Sequence, residues 1–275
     1  MDPKVDERGV DAPSSRPTGM DPPFPPVGLG TMGIDDPDVI ETAIDLGYRH
    51  LDTAQIYENE AVVGEAIAAS DVPRKELLVA TKLWVTDLGA DDVGRSARES
   101  LDRLGLDYVD VLYVHRPRGA YDPAGTLPAL DALVEEGLVR GIGLSNFSVD
   151  DLETAREHLE TPVAAHQVEH HPLFWRPELV ADAREHGHPL VAYAPLASGK
   201  AFDLPAVREA AEAHGVSPAG VCLAWVLSRE GVVAVPKASS ERHLRGNLET
   251  ADLRLSDAEI ARIDAIEREE ELFPE

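Results

Sequence analysis

From Val27 onward, short apolar runs alternate with stretches in which apolar residues recur every three or four positions. The runs lie near Val27–Thr31, Tyr48–Asp52, Leu77–Lys82, Val109–His115, Val139–Ser145, Val163–Glu169, Pro189–Ala194 and Val232–Pro236. Each reads as a strand covered on both faces. Between them, Asp36–Leu46, Asn59–Ala69, Asp91–Leu104 and Asp151–His158 read as helices with acidic first turns, which the positive end of a helix dipole favours. Pro205–His214 and Ser217–Arg229 read as two helices parted at Gly215, and Asp257–Arg268 as a closing helix. Eight strand-then-helix units predict an α/β fold, a closed (β/α)8 TIM barrel in one domain rather than an open sheet. Residues 24–275 supply the barrel. Residues 1–23, rich in proline, charge and small polar side chains, predict a flexible N-terminal arm.

Composition narrows the class. The 275 residues carry 25 basic and 51 acidic side chains, a formal charge of −26. Such a field repels nucleic acid and anionic membrane surfaces. Only Lys4, Lys75, Lys82, Lys200 and Lys237 are lysines, and arginine supplies the other cations. An acidic, lysine-poor surface suggests a halophile, in which salt screens the self-repulsion. The start MDPKVDERGV has no apolar stretch of the kind a signal peptide needs, and no segment approaches a membrane span, so the expected location is cytoplasmic. The lone Cys222, within GVCLAWVLSRE, reads as core filling and permits no internal disulfide.

Candidate chemistry gathers at the ends of the early strands. GYRHLDTAQIYENE holds Asp52 and Tyr57, LLVATKLW holds Lys82, and DVLYVHRP holds His115. A barrel brings the C-terminal ends of its strands to one face, so these four groups would meet there. A phenol, with a reference pKa near 10, is a weak acid at neutral pH. A lysine cation beside it stabilises the phenolate and is expected to lower that value, while an aspartate keeps the lysine charged. A neutral histidine then polarises a carbonyl oxygen. His166, His170 and His171 do not fit a metal site: on a strand the first two share a face, the third points away, and no third ligand has suitable spacing.

In this order the motifs resemble those of the aldo-keto reductase family, and of its small-carbonyl and diketogluconate-reductase-like members. The resemblance runs from VGLGTMG to about Arg268 and includes GLSNF, QVEHHP, AYAPLASG and VPKASS. It implies NAD(P)H-dependent reduction of aldehydes and ketones to alcohols by hydride transfer, with Tyr57 as general acid and Asp52, Lys82 and His115 completing the catalytic set. Ser145, Asn146 and Gln167 would hold the nicotinamide carboxamide, and Tyr193 would stack on the ring. Leu196 and Ser198 would line the pyrophosphate channel. Pro236, Lys237, Ser239, Arg242, His243 and Asn247 would hold the adenosine end. No GxGxxG follows a strand, so a Rossmann-type site is not expected. Relatives selective for NADPH carry an arginine where His243 stands, and a neutral imidazole cannot clamp a phosphate at two points. NADPH is expected, with NADH possible.

The implied partner is a small-molecule carbonyl compound, taken by a monomer. Met32 and Arg116 stand where many relatives place tryptophan, and Trp84 and Phe147, with Phe174 or Trp175, remain to line the substrate pocket. The acidic tail REEELFPE reads as a solvated end, and the short connections after His115 and Leu196, with little chain after the last helix, predict an open pocket. Arg116 suggests substrates bearing a carboxylate. Two rivals stand beside this reading: a slow or non-catalytic nicotinamide-binding sensor of the same fold, and a barrel hydrolase or isomerase using Asp52 and Glu169.

Overall fold

The computed structural model describes residues 23–274; the proposed N-terminal arm lies almost wholly outside that range. Strands β1 (Leu29–Gly30), β2 (His50–Asp52), β3 (Leu78–Leu83), β4 (Val111–Val114), β5 (Ile142–Ser145), β6 (Val163–Glu169), β7 (Leu190–Tyr193) and β8 (Val232–Ala234) form one parallel sheet in sequence order. Between them run α1 (Pro37–Leu46), α2 (Glu60–Ala69), α3 (Ala90–Leu104), α4 (Pro123–Glu135), α5 (Val149–His158), α6 (Pro177–His186), α7 (Pro205–His214) and α8 (Pro218–Leu227). Two more helices, α9 (Glu241–Glu249) and α10 (Asp257–Asp264), follow β8. Among the described residues no helix is long and apolar enough to cross a membrane.

The sheet closes on itself. Val27 bridges Ala234 in parallel register, with Gly28 N donating to Ala234 O at 2.8 Å, Ala234 N to Pro26 O at 2.9 Å and Gly30 N to Pro236 O at 3.2 Å. Gly30 is required at this seam, because a Cβ there would lie 2.6 Å from the Val235 carbonyl oxygen.

Two apolar bodies result. Inside the ring, Leu78, Ala80, Val111, Tyr113, Ala165, Val191, Val233 and Val235 fill the space, and Phe24 packs against them from the N-terminal end. Outside it, Leu29, Leu51, Val79, Leu112, Leu144 and Leu190 meet the inward faces of the helices. Strict alternation along each strand assigns side chains to one body or the other. Helix ends follow local chemistry: Asp36 caps α1, Ser148 and Ser256 form capping boxes on α5 and α10, and left-handed Gly47, Gly105, Gly187 and Gly215 end α1, α3, α6 and α7. Cys222 is fully buried in α8, as core filling requires.

Three imidazoles are sealed in this interior. His50 sits edge-on to Phe24 at 5.4 Å between ring centroids, His166 faces His188, and His170 packs on Trp225 at 5.4 Å. Burial is the main cause that lowers their pKa values, to about 4 for His50 and about 3 for His166 and His170. The folded chain therefore refuses protons that the unfolded chain accepts near pH 6.5. Stability from these groups is complete above that pH and falls as pH drops from about 6.5 toward 3, by up to about 1.4 kcal/mol per pH unit for each histidine. In 1 M salt, which screens the acidic surface, the urea midpoint should fall steadily between pH 7 and pH 5, with a shallower slope in His166→Gln. A flat midpoint over that range would refute the account.

Candidate active site

The turn carrying Tyr57 is a single 3-10 turn, Gln55–Tyr57, between β2 and α2, ended by Glu58 in the left-handed region. It is fastened from three sides. Asn59 accepts from Thr53 Oγ1 at 2.9 Å and donates from Nδ2 to the carbonyls of Thr31 at 2.7 Å and Ile34 at 3.0 Å. Gln55 Oε1 accepts from Trp84 N at 2.9 Å, and its Nε2 donates to Ser96 Oγ and Ser100 Oγ at 2.7 and 3.0 Å. Tyr57 is thus held against the end of β3.

Lys82 rises from β3 into the ring, fully buried. Its ammonium donates to Asp52 Oδ1 at 2.6 Å and to Thr53 O at 2.8 Å, and lies 5.0 Å from the Tyr57 ring centroid. Burial alone would pull the ammonium down, but Asp52 and Tyr57 outweigh it and keep Lys82 above its ordinary value. The other Asp52 oxygen, Oδ2, accepts from Gln167 Nε2 at 2.7 Å. His115, just past β4, stands edge-on to Tyr57 at 6.0 Å and to Trp84 at 5.0 Å. Burial, aided by the charges of Lys82, Arg116 and Arg118, drives its pKa down to about 2. The imidazole is neutral across the physiological range.

One expectation is corrected here. Tyr57 is raised above the ordinary tyrosine value, because burial outweighs the lowering by Lys82. Asp52, at 2.6 Å, also holds much of the lysine charge. Two groups of the same types, Tyr48 and His50, belong elsewhere: Tyr48 Oη donates to Leu244 O at 3.0 Å, tying β2 to α9, and His50 is buried beneath Asp52. Neither lines the cavity.

A cavity of about 630 Å³ opens over this cluster. Asp52, Tyr57, Trp84 and His115 share its wall with Met32, Ile56 and Arg116. Ser145, Asn146, Gln167 and Tyr193 face them, and Leu196, Ser198, Pro236 and Lys237 continue it outward. Asn146, left-handed at φ 62°, donates to His115 O at 3.0 Å and accepts from Tyr193 Oη at 2.8 Å. Asn146 is therefore knitted to both His115 and Tyr193.

Other residues fall outside the cavity. Ser239, Arg242 and His243 are exposed before and on the first turn of α9, which Ser240 caps, and Asn247 is buried beside Tyr48. Arg245 pairs with Glu241 at 2.8 Å. Phe147 is a correction: the left-handed turn at Asn146 swings it outward, where it is 1% exposed and packs on Tyr121 at 5.4 Å. Trp175 and Phe174 do not line the cavity either; Trp175 packs on Trp225 at 5.8 Å and under the Arg229 guanidinium. Among the described residues no group of three or more histidine, cysteine, aspartate or glutamate side chains converges on a metal site.

The tail is the largest departure from the sequence reading. Arg268, Glu269 and Glu271 are exposed as expected, but Leu272 and Phe273 turn inward. Phe273 walls the cavity, its ring 5.8 Å from that of Tyr193, and Arg116 Nη2 donates to Phe273 O at 3.2 Å. Glu169, offered above as a hydrolytic carboxylate, accepts from the backbone N–H groups of Leu272 and Phe273. Ile56, Phe202 and Phe273 were not anticipated in the wall. An aromatic stranded in the acidic run EEELFPE was the one signal for Phe273.

Comparison with known proteins agrees with this geometry. The chain matches the aldo/keto reductase family over residues 26–268. It is 40% identical over 256 residues to methylglyoxal reductase DkgB of Escherichia coli O157:H7, covering 89% of this chain and 95% of that one. It is 36% identical over 255 residues to glyoxal reductase of Bacillus subtilis strain 168, covering 91% and 92%. Among solved structures it superposes on a putative 2,5-diketo-D-gluconic acid reductase B with a TM-score of 0.86 at 35% identity, covering 90% of each chain.

Proposed function

The chain belongs to the aldo/keto reductase family, and from that premise we propose that Asp52, Tyr57, Lys82 and His115 carry its NAD(P)H-dependent reduction of aldehydes and ketones to alcohols. The observation that carries this reading is the convergence on one cavity wall of the Tyr57 phenol, set against a buried Lys82 that is ion-paired with Asp52, and a buried imidazole, His115, edge-on to Tyr57.

Tyr57, raised above its ordinary value, keeps its proton throughout neutral pH and delivers it to the oxygen as negative charge develops there. Lys82 stabilises the phenolate left behind. Asp52 holds Lys82 with one oxygen and is itself fixed by Gln167 through the other. His115, neutral, donates a hydrogen bond to the same oxygen and polarises the carbonyl. When bound, the nicotinamide supplies the hydride to the carbonyl carbon. Ser145, Asn146, Gln167 and Tyr193 suit its carboxamide and ring, since polar groups and one aromatic face already line the cavity next to Tyr57. Leu196, Ser198, Pro236 and Lys237 extend that wall toward α9.

The dinucleotide we propose is NADPH. Lys237 at the cavity edge and Arg242 on the first turn of α9 give cations for a 2′-phosphate, and the N-terminal end of α9 adds its dipole. Arg245 is drawn toward Glu241, which leaves His243 as the weak position. His243→Arg should tighten NADPH by about ten-fold, the worth of one added charge-assisted contact, and leave NADH unchanged. Fluorescence titration of both cofactors checks it; equal gains for both would place residue 243 away from the 2′-phosphate. Binding of neither cofactor to the unmodified chain would overturn the reductase reading.

The substrates we propose are small aldehydes and 2-oxoaldehydes. The relatives' names, methylglyoxal reductase and glyoxal reductase, support this, as does a cavity whose mouth is set by Met32 and Ile56. A keto-acid preference is less well supported, since Arg116 spends a donor on Phe273 O.

A further inference from the structure

Glu169 takes no part in that chemistry, yet it is 4% exposed at the end of β6, two residues beyond Gln167. Burying a carboxylate is costly unless donors surround it. Three do. His171 Nε2 meets Oε1 at 2.8 Å, Leu272 N donates to Oε1 at 2.6 Å, and Phe273 N donates to Oε2 at 3.0 Å. The His171 tautomer follows from its other nitrogen: Nδ1 accepts from Leu173 N at 3.2 Å, so Nε2 carries the proton and donates. Two of the three donors to Glu169 belong to the tail.

The same tail is tied at other points. Glu270 N donates to Leu173 O at 2.8 Å, and the Glu270 carboxylate takes Lys200, from the loop after β7, together with Arg268. These outer ion pairs are exposed and weak. The buried anchor is Glu169, and what it places is Phe273, whose ring and carbonyl close the cavity against Tyr193 and Arg116.

We propose that Glu169, oriented by His171, is a positioning residue that sets the size of substrate this enzyme accepts, acting through Phe273 rather than on the reacting atoms. The inference rests on the carbonyl-reductase reading for its kinetic half alone. Glu169→Gln keeps the side-chain shape, but an amide offers a single acceptor oxygen. Oε1 already serves His171 and Leu272, so the amide nitrogen then faces the Phe273 N–H, donor against donor.

The test combines hydrogen exchange of the tail peptide with steady-state kinetics on methylglyoxal and 2-naphthaldehyde. In Glu169→Gln the tail amides should exchange at least about ten-fold faster. The ratio of kcat/KM for 2-naphthaldehyde over methylglyoxal should rise by about ten-fold, the scale at which a pocket wall discriminates size, while the pH profile of kcat is unmoved. Phe273→Gly, which removes the wall without touching the anchor, should raise the ratio equally. Glu169→Asp, with the charge kept and the reach shortened, replaces the glutamine variant if that one does not fold. Unchanged exchange in the Glu169 variant overturns the anchor, and an unchanged ratio in either variant overturns the size selection. Absence of turnover in the unmodified chain overturns the reductase reading and the size selection with it, leaving the exchange result to decide the anchor by itself.

Discussion

Tyr57→Phe should lower kcat by about 10²- to 10⁴-fold, the range a positioned general acid contributes, and leave NADPH affinity within about two-fold of the unmodified enzyme, since the lost hydroxyl is not among the groups proposed to hold the dinucleotide. The ring stays where it is: Asn59 and Gln55 fix the turn from either side, and neither touches the hydroxyl. His115 cannot take over as the acid, because an imidazole held neutral lacks the second, acidic proton of an imidazolium, and its remaining N–H can donate a hydrogen bond but is too weakly acidic to be released at neutral pH. Stopped-flow single turnover with bound NADPH measures the step directly. Near-normal hydride transfer in this variant would show that the proton comes from another group.

Lys82→Met should do damage of a second kind. The methionine fills nearly the same volume, but Asp52, 3% exposed, loses the cation at 2.6 Å and keeps only Gln167. Stripping one partner from a buried pair costs about 3–5 kcal/mol, so the urea midpoint should fall sharply along with turnover. Pairing the change with Asp52→Asn removes the stranded charge. The double variant should regain most of the stability and none of the activity, since Tyr57 still lacks its cation. If the double variant is no more stable than Lys82→Met, the ion pair is not what the fold depends on, and the coupling between the two sites is small.

The convergence of the candidate side chains was legible in the sequence because they sit on strand ends, where alternation fixes which side chains enter the ring. Asp52, Lys82, His115, Ser145 and Gln167 all follow that rule. Phe147 was misplaced because alternation stops at Asn146, whose left-handed backbone reverses the next side chain, and the tolerance of asparagine for that conformation was the one signal in GLSNF. The Tyr57 shift was read with the wrong sign because motifs reveal neighbours but not depth of burial. Phe273 and Glu169 were assigned to the wrong surroundings for a related reason: their partners lie about a hundred residues apart in the chain, beyond the reach of any local pattern. Strand ends at Val27, Val109 and Val139 were drawn too long, since these valines are buried and bridged but lie outside regular ladders.

The seam at Val27 and Ala234 also orders events in time. It joins residues about two hundred positions apart, so a ribosome must deliver nearly the whole chain before the ring can shut. Until then β1 and β7 both present unpaired edges, the state in which a growing parallel sheet is most prone to stick to its neighbours. Asp52, Lys82 and His115 come from β2, β3 and the end of β4, early in synthesis, whereas β8, Lys237 and the tail come last. A nascent chain halted before Val232 would thus already contain the proposed acid–base residues while lacking the strand that turns a curved sheet into a barrel.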